Sequence, residues 1–139
     1  MPSAEPYPTP AAVESAFYQA FEAADLETLL AVWDEGSGVA CIHPLGARIE
    51  GGESVRESWR RILRSGPRLR FEVRNVRATV VGDMAVHLVD EVVTVVEEGR
   101  EAFLHATNVY RRTARGWRMV LHHASPAPSS RRAAPPLVH

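Results

Sequence analysis

The sequence predicts an α+β fold, with N-terminal helices packed on a strongly curved antiparallel β-sheet. Three observations carry that expectation. Before Pro67, apolar residues recur at helical spacing. After it they alternate in long runs separated by two- or three-residue turns. Within the first of those runs the alternation changes phase near Arg74-Asn75, the mark of a β-bulge that bends a sheet.

The elements follow in order. Residues 1–8 read as a flexible lead. Thr9 is placed to cap a helix, with Pro10 at its first position. Val13, Phe17, Ala20, Phe21 and Ala24 form the apolar stripe of that helix. Asp25 caps a shorter one, with Leu26, Leu29, Leu30 and Trp33 turned inward and Gly36-Ser37-Gly38 beyond it. Val39–His43 is a short strand stopped by Pro44, and Ala47–Glu50 pairs back on it. Gly51-Gly52 opens a third helix. Its buried side is Val55, Trp59, Ile62 and Leu63, and its wet side is Arg56, Arg60, Arg61 and Arg64. The bent strand after Pro67, the long apolar strand Met84–Val96 and a closing hairpin of Ala102–Thr113 and Trp117–Ser125 make an antiparallel meander. The folded domain is assigned to residues 9–126. Residues 127–139 are too poor in large apolar groups to pack and read as a disordered tail.

Composition narrows the function. A chain of 139 residues with formal net charge −1 fits one domain and lacks the basic footprint of a nucleic-acid binder. All 16 basic residues are arginine, so a Schiff-base lysine and a Walker lysine are excluded. The Arg, Ala and Val bias points to a high-GC bacterial genome. Cys41 is the single cysteine, which fits a reducing, cytoplasmic compartment. No apolar run approaches the ~20 residues of a membrane span, and the N-terminus lacks the regions of a secretion signal. Six histidines are present, but without H-x-H, HExxH or a cysteine cluster, so no metal is expected. No phosphate loop or nucleophile elbow appears, so no cofactor is expected either.

Polar residues interrupt the apolar faces of the closing hairpin. Asn108 shares a face with Leu104, Ala106 and Tyr110. Continuing the phase of Trp117, Met119 and Leu121 turns His123 inward and His122 outward. A polar group on an apolar wall needs a partner or a ligand. Glu91 poses the same question within Val89-Asp90-Glu91-Val92-Val93, and Asp90 must face the other way. Long strands apolar on both faces, with too few helices to cover both, predict a homodimer.

Several short motifs sit in a familiar order: Ala23-Ala24-Asp25-Leu26; His43-Pro44-Leu45-Gly46; Ile49-Glu50-Gly51 leading to Trp59; Asn108-Val109-Tyr110; Gly116-Trp117-Arg118-Met119; and His122-His123-Ala124-Ser125. With these the chain resembles, from Val13 to Ser125, the NTF2-like superfamily of cone-shaped domains, and within it the SnoaL-like, ketosteroid-isomerase-like group. The closing hairpin also resembles the association domain of calcium/calmodulin-dependent kinase II, although no kinase sequence is present. The resemblance implies a pocket on the concave side and places His43 where the isomerases carry their aspartate base. It also brings Glu91 and Asn108 to the pocket and Trp59 to its wall. Phe17, rather than a tyrosine, stands at the isomerases' oxyanion position. No acidic residue lies on Ala102–Ser125 to partner it, so steroid isomerisation is not expected.

The expected site is therefore a mostly apolar pocket with His43, Glu91, Asn108 and His123 as its polar set. Phe17, Trp33, Trp59, Tyr110 and Met119 are its candidate walls. The ligand is a small organic molecule. As an enzyme, the protein would transfer a proton at carbon without a cofactor, in an isomerisation, cyclisation or hydration. His43 would be the base, and Asn108 and His123 would steady the oxyanion. The competing expectation is a non-catalytic binding or association module, since one fold hosts both.

Overall fold

The computed structural model describes residues 7–128. The elements run α1 (Pro10–Ala23), α2 (Leu26–Ala31), β1 (Ala40–Ile42), β2 (Arg48–Glu50), α3 (Gly52–Ser65), β3 (Leu69–Val81), β4 (Met84–Val95), β5 (Arg100–Thr113) and β6 (Gly116–Pro126). Helices precede a six-stranded sheet of order β2-β1-β6-β5-β4-β3, which is curved and unclosed. This is an α+β cone.

Local chemistry sets the elements. Thr9 accepts from Ala12 N to cap α1, and Ala24 ends it in the left-handed region at φ 55°. Asp25 accepts from Thr28 N to start α2. In β3 the register shifts between Arg74 and Arg77, with Asn75 at φ 53°. Asparagine tolerates that conformation, and here its Nδ2 donates to Asp90 Oδ2 at 2.7 Å. The bend turns Phe71 and Val73 under α1 and swings the rest of β3 out to an exposed edge.

Two pairings had no local signal. β1 runs parallel to β6, with Cys41 opposite His122, as well as antiparallel to β2. In the β5–β6 hairpin, Tyr110 pairs with Met119 and Val109 with Leu121, so Val120 is an extra residue. That second bulge reverses the facing of everything after it.

Tyr7 departs from the loose lead assigned to residues 1–8. Its carbonyl accepts from Trp117 N at 2.9 Å, and its ring lies 5.0 Å beneath the Arg118 guanidinium. Gly116 makes room for it: φ is +100°, and a Cβ there would stand 2.9 Å from Tyr7 O. Gly116→Ala is therefore expected to cost roughly 1–3 kcal/mol, read by urea denaturation. An unchanged midpoint would contradict this. Of the tail assigned to residues 127–139, Ala127 N still bonds Phe103 O at 2.8 Å; residues 129–139 lie outside the described part.

The main core sits between the helices and the concave face, around Val13, Phe17, Leu29, Trp33, Trp59 and Met119. On the outer face of β4, Met84, Val86 and Leu88 are exposed, alternating with buried Ala85, His87 and Val89.

Candidate functional site

A cavity of about 310 Å³ opens between α3, the end of β1 and the concave sheet. Phe21, Trp59, Leu69, Phe71, Val93 and Ala124 supply apolar wall, and three polar side chains reach it: His43, Glu91 and His122. Wider clefts of about 460 and 400 Å³ lie elsewhere on the surface. This cavity alone gathers these three groups among the described clefts.

His43 follows β1, where Pro44 stops the strand. Its ring meets Trp59 edge to face at 4.8 Å, and its Nε2 lies 3.0 Å from Ser58 Oγ on α3. Ser58 in turn donates to Val55 O at 2.8 Å. Partial burial pushes the His43 imidazole below its ordinary value, so it is unprotonated at pH 7 and free to accept a proton.

Glu91 is buried in the middle of β4. Tyr18 donates its hydroxyl hydrogen to Glu91 Oε2 at 2.5 Å. Burial raises the Glu91 carboxyl, the Tyr18 bond partly lowers it again, and the nearby Glu14 charge raises it. Burial and the Glu91 carboxylate also push the Tyr18 phenol far up, so it stays protonated. A carboxyl raised by folding makes the native state hold more protons than the unfolded chain. Its stabilising effect is complete below the ordinary value of 4.5 and is lost as pH climbs through the raised one. Glu91→Gln removes that dependence. Relative to wild type, the variant should gain stability between pH 4 and pH 8, by urea denaturation; parallel curves would contradict it.

Behind these groups lies a buried polar network. Asn108, fully buried, places Nδ2 at 3.1 Å from both Tyr18 OH and Glu14 Oε2. Its Oδ1 lies 2.6 Å from His122 Nδ1. Tyr110 OH donates to the same Glu14 oxygen at 2.8 Å. His87 Nδ1 stands 3.1 Å from that oxygen, but the ring N–H is not aimed at it, so the approach is close without a hydrogen bond. Burial drives the His122 imidazole down to about 3, helped by repulsion from His43 and His123.

The sequence-predicted residues therefore separate. His43 and Glu91 reach one cavity, and Trp59 walls it. Asn108 stands one layer behind, joining Tyr18 to His122. His123 is corrected: the extra residue Val120 flips the strand, so His123 is exposed and His122 faces inward. Phe17, Trp33, Tyr110 and Met119 are also corrected. They are fully buried in core packing rather than on the cavity wall, because α1 and α2 close over that end of the sheet and leave no space. Phe17 supports the wall from behind, 5.4 Å from the Trp59 ring and 4.9 Å from His122. Sequence reasoning missed Tyr18, Glu14, His87 and Ser58. Helix geometry held a signal for two of them, since Glu14 and Tyr18 are four apart and sit one step round from Val13 and Phe17. Among the described residues, no three His, Cys, Asp or Glu side chains gather as a metal site.

A family profile described as the SnoaL-like domain matches residues 11–129. A crystal structure from Thiobacillus denitrificans ATCC 25259 is 46% identical. It is provisionally named the association domain of a calcium/calmodulin-dependent protein kinase type II, and the match covers 88% of this chain and 98% of that one at a TM-score of 0.82. A provisionally assigned dehydratase of the NTF2-like family from Streptomyces avermitilis is 30% identical over 86% of this chain and 94% of its own, TM-score 0.79. An NTF2-like protein of unknown function from Pseudomonas putida KT2440, 19% identical over 88% and 87%, shares the fold at TM-score 0.74. No curated protein matches the chain. With the profile spanning nearly all of the folded part and these relatives covering it end to end, the chain belongs to the SnoaL-like domain family of the NTF2-like superfamily.

Proposed function

We propose that the domain holds a small organic molecule in this cavity and, acting as an enzyme, moves a proton at carbon without a cofactor. Isomerisation, cyclisation and hydration or its reverse all fit, with His43 as the base. One observation carries the reading: His43, Glu91 and His122 share a single void that is otherwise apolar. The neutral state of His43 suits a base at pH 7, and Asn108 serves by holding Tyr18 and His122 in place. The dehydratase assignment of the Streptomyces avermitilis relative is in keeping with proton transfer. A cytoplasmic location is part of the reading, supported by the single, free and buried Cys41. The test is native mass spectrometry of protein from its host, followed by thermal-shift binding of the retained molecule to His43→Ala and Glu91→Ala. Both variants should fold and bind more weakly; unchanged binding by both ends the proposal.

A second reading, a non-catalytic association module, is favoured by the relative provisionally named an association domain. Under either reading we expect a homodimer through the outer sheet face, where Met84, Val86 and Leu88 are uncovered. Light scattering at micromolar concentration should give twice the 15.4 kDa of the chain, and Leu88→Arg should lower it. A wild-type mass of one chain would contradict the dimer.

A further inference from the structure

Each hydroxyl, amide and imidazole around the cavity has a fixed number of hydrogens, and that number sets the direction of every bond. Tyr18 has one hydroxyl hydrogen, and it goes to Glu91 Oε2. Its oxygen is left to accept from Asn108 Nδ2, which also serves Glu14 Oε2. Turning the amide over would set its oxygen against a carboxylate and against a hydroxyl whose hydrogen is already used. The Asn108 oxygen therefore faces His122, and His122 Nδ1 must carry the hydrogen between them. A neutral imidazole has one N–H, so His122 Nε2 is a bare lone pair.

The tautomer of His43 is fixed in the same way. Ser58 Oγ lies 2.8 Å from Val55 O and 3.0 Å from His43 Nε2. A hydroxyl hydrogen aimed at His43 would leave two oxygens 2.8 Å apart with nothing between them. Both contacts are attractive only when Ser58 donates to Val55 O and His43 Nε2–H donates to Ser58. His43 Nδ1 is then bare. Cys41 Sγ, nearly equidistant at 3.9 and 3.7 Å from the two ring nitrogens, offers each only a long, weak S–H contact. Glu91 Oε1 has no protein partner among the described residues, and the Trp59 Nε1–H is sealed within the packing.

From this we infer that the cavity selects hydrogen-bond donors: its ligand is an apolar molecule whose polar groups are hydroxyls rather than carbonyls. The inference rests on the pocket reading above and narrows its substrate class. Among the residues that line the cavity, His43 Nδ1, His122 Nε2 and Oε1 of ionised Glu91 are the acceptors left without a strong partner, and the hydrogens of Asn108 Nδ2 are committed to Tyr18 and Glu14. A ketone or a developing oxyanion finds no free side-chain donor among these groups, whereas an alcohol finds acceptors.

Two measurements test this. Wild-type protein is titrated with matched pairs, cyclohexanol against cyclohexanone and 1-indanol against 1-indanone, following tryptophan fluorescence or NMR shifts. The alcohols should bind tighter by roughly tenfold or more, the loss expected when a ketone leaves buried acceptors unmatched. Glu91→Gln places an amide donor at that corner and should narrow or reverse the preference. Equal or tighter ketone binding by the wild type overturns the inference while leaving the pocket reading intact. No binding by any member of either pair overturns both. Independently of any ligand, long-range ¹⁵N NMR should find the hydrogen on Nδ1 of His122 and on Nε2 of His43. The opposite tautomer at either ring overturns the inference alone.

Discussion

Asn108→Leu should lower the unfolding free energy by roughly 2–4 kcal/mol, although the new side chain has the same branched heavy-atom skeleton. The amide is fully buried and joins three partners that are themselves buried: Glu14, Tyr18 and His122. Leucine takes the donor from the Glu14 carboxylate and the Tyr18 oxygen, and the acceptor from the His122 N–H. Each orphaned buried group costs about 1–3 kcal/mol, more where it is charged, and partial rearrangement recovers some of that. Glu14 keeps its bond from Tyr110, which sets the upper limit. Urea denaturation at pH 7 measures the loss. A change under about 0.5 kcal/mol would mean that the network carries no net stability.

His43→Ala should remove two to four orders of magnitude of turnover on any substrate the cavity accepts, the usual worth of a positioned general base. The residue is half-buried at the mouth of the cavity, so the fold should survive its loss. Wild-type turnover should also rise with pH and level off below neutrality. The base works only when unprotonated, and burial holds His43 below the ordinary histidine value of 6.5. Retention of full rate by the variant, or a plateau reached only above pH 7, would remove His43 from the chemistry.

Much of the architecture was legible because it is written in local patterns. The caps at Thr9 and Asp25, the helical stripe of α3 and the runs of β3 to β6 need only neighbours within a few residues. The bulge in β3 announced itself through Asn75 and a visible change of phase. The bulge at Val120 did not, because Met119, Val120 and Leu121 are all apolar and alternation looks unbroken through them. One unmarked residue was enough to exchange His122 for His123. The polar network escaped for a different reason. Glu14 and Asn108 are 94 residues apart, and Tyr18 and Glu91 are 73 apart. Their pairing depends on α1 crossing the sheet, which no local pattern encodes. Glu91 stood out because it breaks an apolar stretch, and His43 because the family resemblance places the isomerases' base at the end of the first strand.

The most direct test of the shared cavity is a crystal of the protein soaked with 1-indanol. The account predicts the ring system between Trp59 and Phe71, with the hydroxyl within hydrogen-bond distance of His122 Nε2 or Glu91 Oε1. A ligand bound only at the outer surface, with the space between His43, Glu91 and His122 closed, would contradict it.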